Sequence, residues 1–344
     1  MLKVGIIGCG SIARLRHAME YSENPNTELT ALYSTRAERA GAIASEYGGK
    51  AYGSIEELLQ SDVDAVSVCT SNHTHASITI DALRAGKHVL CEKPMATTLE
   101  DCHKMIEAAE KYGKKLMIAF YQRLTEAHAR AKQILDSGEL GELITFTTIF
   151  GHAGPEMWSA DKGNHTWFFK KDAAAFGAIA DLGVHKIDLI RWLVGSEVEQ
   201  VSAFVRTLDK KDETGKLIGV DDNSICLLGF KNGVIGSLAV SWTNYAQERN
   251  STVLNCKNGV MKIYEHPEYP IEVQFKDGEK AYYKLAGIHS NEAKLPNCGV
   301  IDMFVDAILE DKEPLFSGKE ALKTMEVVFA AMESEKTGNV IRIS

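Results

Sequence analysis

The sequence predicts an α/β chain of two parts: a doubly wound, parallel-sheet Rossmann domain, then an α+β domain with a large, mostly antiparallel open sheet. Over the first 120 residues, short apolar runs alternate with helix-like segments, whereas later runs mostly follow one another without helices. The length of 344 residues also exceeds the roughly 250–300 at which a single core stops growing. We assign residues 1–121 to dinucleotide binding and 122–344 to substrate binding and oligomerisation.

The first domain is predicted from the lengths of its apolar runs and from the residues that bound its helices. Short apolar runs without a helical period predict buried strands, and helices start at a cap such as Ser54 or stop before a glycine such as Gly113. The predicted strands are Lys3–Gly8, Glu28–Tyr33, Ala65–Cys69, His88–Cys91 and Leu116–Phe120. The predicted helices are Ile12–Tyr21, Arg36–Tyr47, Ser54–Gln60, Thr74–Ala85 and Leu99–Tyr112. This alternation predicts βαβ units and therefore a parallel sheet.

The second domain is predicted from strand-like runs with turn signals between them. Asn232-Gly233 and Asn258-Gly259 each separate two such runs, which is a strong signal for a hairpin. The predicted strands are Ile144–Phe150, Val198–Thr207, Ser224–Phe230, Val234–Trp242, Ser251–Cys256 and Val260–Tyr264. The predicted helices are Glu126–Ser137, Asp181–Trp192, Val300–Leu309 and Lys319–Glu335. Hairpins without crossover helices predict an antiparallel sheet.

Charge and composition argue against several classes of function. The chain has 38 Lys and Arg against 47 Asp and Glu, a net charge of −9, so it lacks the basic balance of a nucleic-acid binder or a polybasic membrane anchor. No apolar run approaches the ~20 residues of a membrane span, and we expect no secretion signal. Seven scattered cysteines without a CxxC pair predict free thiols, no metal and a cytoplasmic protein.

A glycine-rich motif lies between the first strand and the first helix. Gly8-Cys9-Gly10-Ser11-Ile12-Ala13 fits G-x-G-x-x-G/A. Its first glycine permits the tight turn, the second lets the backbone approach a pyrophosphate, and a small third residue lets helix and strand pack closely. We therefore expect Gly8, Gly10, Ser11, Ile12 and Ala13 to form the dinucleotide-binding turn.

The end of the second strand bears on the choice of cofactor. A carboxylate at this point would bind the adenosine ribose of NAD, but the sequence continues as Ser34, Thr35 and Arg36, with Arg39 one turn later. Hydroxyls and arginines suit the 2′-phosphate of NADP, so NADP is the expected cofactor, with NAD as the alternative. In the other interpretation, Ser34 caps the next helix and the arginines pair with Glu38 on the surface.

Two further strands end in polar residues that can reach the same edge of the sheet. Thr70, Asn72 and His75 follow one strand, and Glu92 and Lys93 follow the next. Ligands bind beyond the carboxyl ends of such strands, so we expect both groups to contact the cofactor. A lysine at this edge can stabilise an oxyanion, although it could also be an ordinary surface lysine.

Asp181 and His185 are candidate catalytic residues in the second domain. They are four residues apart on a predicted helix, so they should face the same side. A carboxylate beside an imidazole orients the ring and raises its basicity, as a general acid or base requires. The alternative is a buried histidine satisfied by a local partner.

Taken together, these motifs resemble those of the glucose–fructose oxidoreductase and inositol dehydrogenase family, Gfo/Idh/MocA. Three motifs carry the resemblance: the GxGxxA turn, the run Ala85–Pro94 that ends in Glu-Lys-Pro, and the D-x-G-x-H-x-x-D run that begins at residue 181. The resemblance implies that Lys93 lies beside nicotinamide and substrate, often before a cis proline, and that Asp181 and His185 form a catalytic pair. It also implies cofactor contacts near Thr70, Asn72 and His75, and places Arg123 at the domain junction, where we count it among the substrate-binding residues.

The expected reaction is hydride transfer between a nicotinamide cofactor and a secondary alcohol or ketone of a sugar, inositol or related polyol. Lys93, Asp181 and His185 should bind the reacting group, and four aromatic or imidazole side chains could line the sugar pocket or belong to a loop and its core. They are His152, Trp158, His165 and Trp167. Similar proteins lead us to expect a homodimer or homotetramer formed through the open sheet.

Two other function classes stay open at this point. An NAD-dependent glycosidase that oxidises its substrate transiently needs the same hydride apparatus. A catalytically silent regulator that senses a dinucleotide or a sugar is the other, although such proteins tend to lose catalytic residues that this chain retains.

Overall fold

A computed structural model describes residues 1–287 and 297–343, and its first sheet has six parallel strands. The strands are β1 (Leu2–Ile7), β2 (Thr27–Tyr33), β3 (Lys50–Ala51), β4 (Ala65–Val68), β5 (His88–Cys91) and β6 (Leu116–Ile118). Their order is β3-β2-β1-β4-β5-β6, which is the order of a dinucleotide-binding sheet. The predicted Rossmann fold is confirmed. The sequence did not predict β3, because both of its residues are exposed and leave no apolar run.

The helices of this domain pack on the sheet. They are α1 (Met19–Glu23), α2 (Ala37–Tyr47), α3 (Ile55–Gln60), α4 (His75–Arg84) and α5 (Leu99–Tyr112). The Ser54 side chain accepts a hydrogen bond from the amide of Glu57, so a free N–H group of the first turn of α3 is satisfied. The first predicted helix begins as a π-helical turn over Ala13–Ala18 before it continues as α1.

The second sheet is mixed and mostly antiparallel, as predicted. Its strands are β7 (Leu143–Gly151), β8 (Val198–Arg206), β9 (Asn223–Phe230), β10 (Ile235–Ser241), β11 (Arg249–Cys256), β12 (Gly259–Ile263), β13 (Ile271–Phe275), β14 (Lys280–Tyr283) and β15 (Ile341–Arg342). Their order is β14-β13-β12-β11-β7-β10-β9-β8-β15, with β7 and β10 parallel. Both predicted hairpins form, β9–β10 and β11–β12. The sequence missed β13, β14 and β15, which are at most five residues long and carry a weak apolar signal.

The helices of the second half pack against this sheet, against the first domain or against both. They are α6 (Glu126–Asp136), α7 (Lys171–Ala174), α8 (Val184–Val194), α9 (Val300–Leu309) and α10 (Gly318–Thr337). Helix α10 packs against both β8 and α5. The Ile118 amide also donates to the Phe316 carbonyl at 2.8 Å. The chain passes from the first sheet to the second between β6 and β7, and the chain after residue 297 packs partly on the first domain. The domain boundary at residue 121 stays a prediction.

The opposite face of the second sheet exposes large apolar side chains. Phe204, Ile225, Leu227 and Ile235 lie on one face of β8, β9 and β10 and are 58–62% exposed. We call these four residues the open face. Among the described helices, none has both the length and the apolar composition needed to cross a membrane.

Candidate active site

A cleft with a cavity volume of about 550 Å³ lies at the carboxyl edge of the first sheet and is walled on its other side by the second domain. Most of the predicted site residues line it. Those from the first domain are Gly8, Gly10, Ser11, Ile12, Ser34, Thr35, Arg36, Arg39, Thr70, Asn72, Glu92 and Lys93. Those from the second are His152, Trp158, Trp167, Asp181 and His185. Four predicted residues do not line the cleft: Ala13, His75, Arg123 and His165.

The glycine-rich turn has a shape that fits a dinucleotide pyrophosphate. Gly8 has a φ of +97°, and a Cβ there would lie 2.5 Å from the Cys69 carbonyl oxygen, so the fold itself requires glycine. A Cβ at Gly10 would meet no described atom within 4 Å, although Gly10 lines the cleft. A bare backbone that faces open cleft space suits the close approach of a ligand. Ala13 is fully buried and packs the helix against the sheet, as the motif predicts.

The side chains after β2 are already engaged by a residue from the second domain. Asp161 Oδ1 accepts hydrogen bonds from Arg36 Nη1 at 2.6 Å and from Arg39 Nη2 at 2.7 Å. Burial opposes ionisation of this carboxyl, but the bonds from both arginines outweigh it and hold the Asp161 pKa below its usual range. The predicted surface pairing with Glu38 is therefore replaced by a contact across the cleft.

Lys93, at the end of β5, forms an ion pair with Asp181. Lys93 Nζ lies 2.7 Å from Asp181 Oδ1 and 3.1 Å from the Asp181 carbonyl oxygen. The second carboxylate oxygen, Oδ2, accepts a hydrogen bond from Trp242 Nε1 at 3.0 Å. Burial raises the pKa of Asp181, but the charge of Lys93 leads the effects that overcome it, and the pKa is lowered overall. The Lys93–Pro94 peptide is cis, as the resemblance implied.

His185 lies beside this pair but is not held by Asp181, contrary to the interaction predicted from their spacing. Both Asp181 carboxylate oxygens have other partners, and the buried Nδ1 of His185 has no hydrogen-bond partner among the described residues. Residues Ile179–Gly183 form a π-helical turn, and Asp181 and His185 nevertheless both line the cleft, as their spacing predicts. Burial and the charge of Lys93 lower the His185 pKa to about 3, so the ring is neutral.

His75 and Glu92 form hydrogen bonds with the segments that follow β4 and β5. His75 is buried, and its two ring nitrogens lie 2.8 Å from the Pro94 carbonyl oxygen and 3.1 Å from that of Thr70. It therefore ties together the loops after β4 and β5 and does not face the cleft. Glu92 accepts a hydrogen bond from the Lys93 amide at 3.1 Å and lies 3.0 Å from His17 Nε2.

Arg123 and His165 lie outside the cleft. Arg123 is buried at the domain junction, as the resemblance implied, where it pairs with Asp188 at 2.5 Å and Glu320 at 3.0 Å. These contacts join the connection after β6 to α8 and α10, so the structure gives Arg123 an architectural position. His165 is exposed, and its ring does not contribute to the cleft wall.

Aromatic rings form the wall nearest Asp181. Trp167 stacks on Phe168 with ring centroids 3.9 Å apart, and Trp158 meets Phe168 edge-on at 5.2 Å. His152 lies edge-on to Trp158 at 6.3 Å, and within residues 1–287 and 297–343 the buried Trp158 Nε1 has no hydrogen-bond partner. Aromatic faces with a few polar groups among them are typical of a pocket for a small molecule.

Sequence reasoning missed Asp161 and Trp242. Asp161 lies in an irregular loop, and no spacing links it to arginines more than 120 residues earlier. Trp242 offers a weak signal, since a buried tryptophan needs a partner for its Nε1–H. No cluster of potential metal ligands occurs in residues 1–287 or 297–343.

Family profiles match most of the chain. One described as "Oxidoreductase family, NAD-binding Rossmann fold" matches residues 2–120, and one described as "GFO/IDH/MocA C-terminal domain" matches residues 128–262. A 1,5-anhydro-D-fructose reductase of Ensifer adhaerens is 28% identical over 348 residues, which cover 100% of this chain and 99% of the relative. A levoglucosan dehydrogenase of Pseudarthrobacter phenanthrenivorans is 32% identical over 280 residues, which cover 73% of this chain and 70% of the relative.

Solved structures share the fold over the full chain. A levoglucosan dehydrogenase in complex with NADH superposes with a TM-score of 0.87 at 25% identity, covering 100% of this chain and 99% of that one. An aldose-aldose oxidoreductase from Caulobacter crescentus in complex with glycerol superposes with a TM-score of 0.84 at 27% identity, covering 99% of both chains.

Proposed function

The chain belongs to the Gfo/Idh/MocA family of NAD-binding oxidoreductases, and on this premise we propose that it oxidises a secondary alcohol of a sugar, inositol or related polyol, or reduces the matching ketone. One observation carries the proposal: the Lys93–Asp181 ion pair and the neutral His185 line the same cleft as the glycine-rich turn. A proton acceptor, a cation and a dinucleotide turn in one cleft are the components of an alcohol dehydrogenase.

The roles of the three residues follow from their surroundings. When bound, the nicotinamide supplies the hydride acceptor or donor. His185 takes the proton of the substrate hydroxyl, since its imidazole is neutral and its Nδ1 has no partner in the described part of the chain. Lys93 stabilises the negative charge that develops on the substrate oxygen. Asp181 anchors the Lys93 ammonium, and Trp242 in turn holds Asp181, so both are positioning residues.

The substrate class rests on the aromatic wall and on the relatives. Trp158, Trp167 and Phe168 offer ring faces beside the catalytic cluster. Printed names among the relatives include an anhydrofructose reductase, a levoglucosan dehydrogenase, a D-glucoside 3-dehydrogenase and a myo-inositol 2-dehydrogenase. Anhydrosugars, glucosides and inositols are therefore the first candidates.

The test is a screen for reduction of NAD⁺ and NADP⁺, followed at 340 nm, over anhydrosugars, aldoses, glucosides and inositols. On the best substrate, His185→Ala should reduce kcat by about 10²–10⁴-fold, and Lys93→Ala at least as much. His185→Ala should bind cofactor within about threefold of the wild type, because His185 does not belong to the glycine-rich turn. Turnover near that of the wild type in both variants would refute the mechanism.

We also propose that the chain forms a homodimer or homotetramer through the open face. The exposed apolar side chains of Phe204, Ile225, Leu227 and Ile235 can pack against the same residues of a second copy about a two-fold axis. The seven cysteines are unpaired, which suits the predicted cytoplasmic location. The cofactor is NAD or NADP, and the predicted preference for NADP depends on the arginines that Asp161 engages.

A further inference from the structure

Asp161 stands where the first domain lacks a carboxylate. β2 ends at Tyr33, and no acidic residue follows at the position that normally grips the adenosine ribose of NAD. The structure supplies a carboxylate from the loop between β7 and α7. Asp161, Arg36 and Arg39 all line the cleft, so this ion-pair cluster forms part of its wall at the end of β2.

The geometry engages both guanidinium groups. Asp161 Oδ1 accepts from Arg36 and Arg39 at 2.6 and 2.7 Å, and Oδ2 lies 3.5 Å from Arg39 Nη1. The Asp161 and Arg39 side chains are 20% and 25% exposed, and that of Arg36 is 50% exposed. The pair with Arg39 is therefore well shielded from water, which strengthens it relative to an ordinary surface ion pair.

The loop that carries Asp161 is fixed at several points. Ser159 Oγ donates to the Asp161 carbonyl oxygen at 2.8 Å and lies 3.1 Å from Thr166 Oγ1. Ser11 Oγ of the glycine-rich turn donates to the Trp158 carbonyl oxygen at 3.3 Å. These hydrogen bonds hold the loop in place, so the loop itself positions the Asp161 carboxylate against the two arginines.

We propose that Asp161 selects NAD over NADP, because its carboxylate occupies the two arginines that a 2′-phosphate would need. A phosphate entering beside Asp161 meets a like charge and finds its cationic partners engaged. A ribose 2′-hydroxyl carries no charge and can donate a hydrogen bond to a carboxylate. This inference rests on the proposed function and refines its cofactor, and it reverses the preference for NADP that the end of β2 predicts on its own.

The experiment measures Kd for NADH and for NADPH by fluorescence titration at one fixed ionic strength. The wild type should bind NADH at least tenfold more tightly than NADPH. Asp161→Asn should reduce this selectivity at least tenfold, chiefly by tightening NADPH. Asp161→Glu keeps the carboxylate and should preserve the preference for NADH, while Asp172→Asn removes a charge elsewhere in the second domain and should leave the selectivity within twofold.

Two further substitutions, Arg36→Ala and Arg39→Ala, test whether these arginines bind the 2′-phosphate once Asp161 no longer engages them. Adding Arg36→Ala and Arg39→Ala to Asp161→Asn should abolish the gain in NADPH affinity. If Asp161 only held the two domains together, Asp161→Asn would weaken the binding of NADH and of NADPH by the same factor. The ratio of the two Kd values would then stay unchanged.

The results distinguish a failure of the role of Asp161 from a failure of the proposed function. A wild type that prefers NADPH, or an Asp161→Asn ratio within threefold of that of the wild type, overturns the role of Asp161 and leaves the proposed function intact. A wild type that binds neither dinucleotide refutes the proposed function, and this inference with it.

Discussion

Two glycines in the same turn should respond to a methyl group in opposite ways. At Gly10 a Cβ would meet no described atom within 4 Å, and its φ lies outside the left-handed region. We therefore expect Gly10→Ala to change the free energy of unfolding by at most about 1 kcal/mol, since alanine also restricts the unfolded chain. The added methyl group should instead interfere with the bound pyrophosphate.

The loss of binding can be estimated from the energy of overpacking. Forcing a methyl group into an occupied site typically costs about 1–3 kcal/mol, which corresponds to a rise in Kd of roughly 5- to 150-fold. Gly10→Val should abolish measurable binding. At Gly8, by contrast, a Cβ would lie 2.5 Å from the Cys69 carbonyl oxygen at a φ of +97°. Gly8→Ala should therefore destabilise the fold itself by about 2–6 kcal/mol.

The assay combines urea unfolding, followed by tryptophan fluorescence, with NADH titration of the same preparations. Gly10→Ala should keep the unfolding midpoint of the wild type and lose affinity, whereas Gly8→Ala should lose stability. A Gly10→Ala protein that unfolds as early as Gly8→Ala, or one that binds NADH as the wild type does, would refute the assignment of the cofactor turn.

Two further predictions concern stability and assembly. Burial lowers the pKa of His128 to about 3, so between pH 3 and 6.5 the unfolded chain binds more protons and stability falls as pH falls. Between pH 7 and 5 this histidine should account for a loss of about 2 kcal/mol, seen as a shallower pH dependence of urea unfolding in His128→Asn; an unchanged slope would contradict it. Leu227→Lys should convert the oligomer to a 37.8 kDa monomer in light scattering, while Gln60→Lys should not; a monomeric wild type would contradict the assembly.

The pattern of the first domain could be predicted because its signals are local. Apolar run length, the Ser54 cap and the GxGxxA turn each depend on residues close together in the chain, and the structure confirms their positions. The same holds for the two Asn-Gly hairpins. Short strands such as β3 and β15 were not predicted, because each has only two residues and is defined by its pairing with a neighbouring strand.

Asp181 and His185 show what local periodicity can and cannot predict. Both line the cleft, as their spacing predicts, but two distant groups, Lys93 and Trp242, bond the carboxylate. The candidate residues were placed in the cleft correctly, while the bonds between them were not. Arg123 shows the same limit, since its partners Asp188 and Glu320 lie 65 and 197 residues away.

The sequence by itself determined the fold class, the dinucleotide turn and most of the predicted residues that face the cleft, because backbone periodicity and glycine requirements act over a few neighbouring residues. The tertiary structure decided which charges meet. Asp161 reaches Arg36 across 125 residues, and Lys93 reaches Asp181 across 88. Such contacts depend on how two domains face each other, and a linear sequence encodes that only through the packing of both cores.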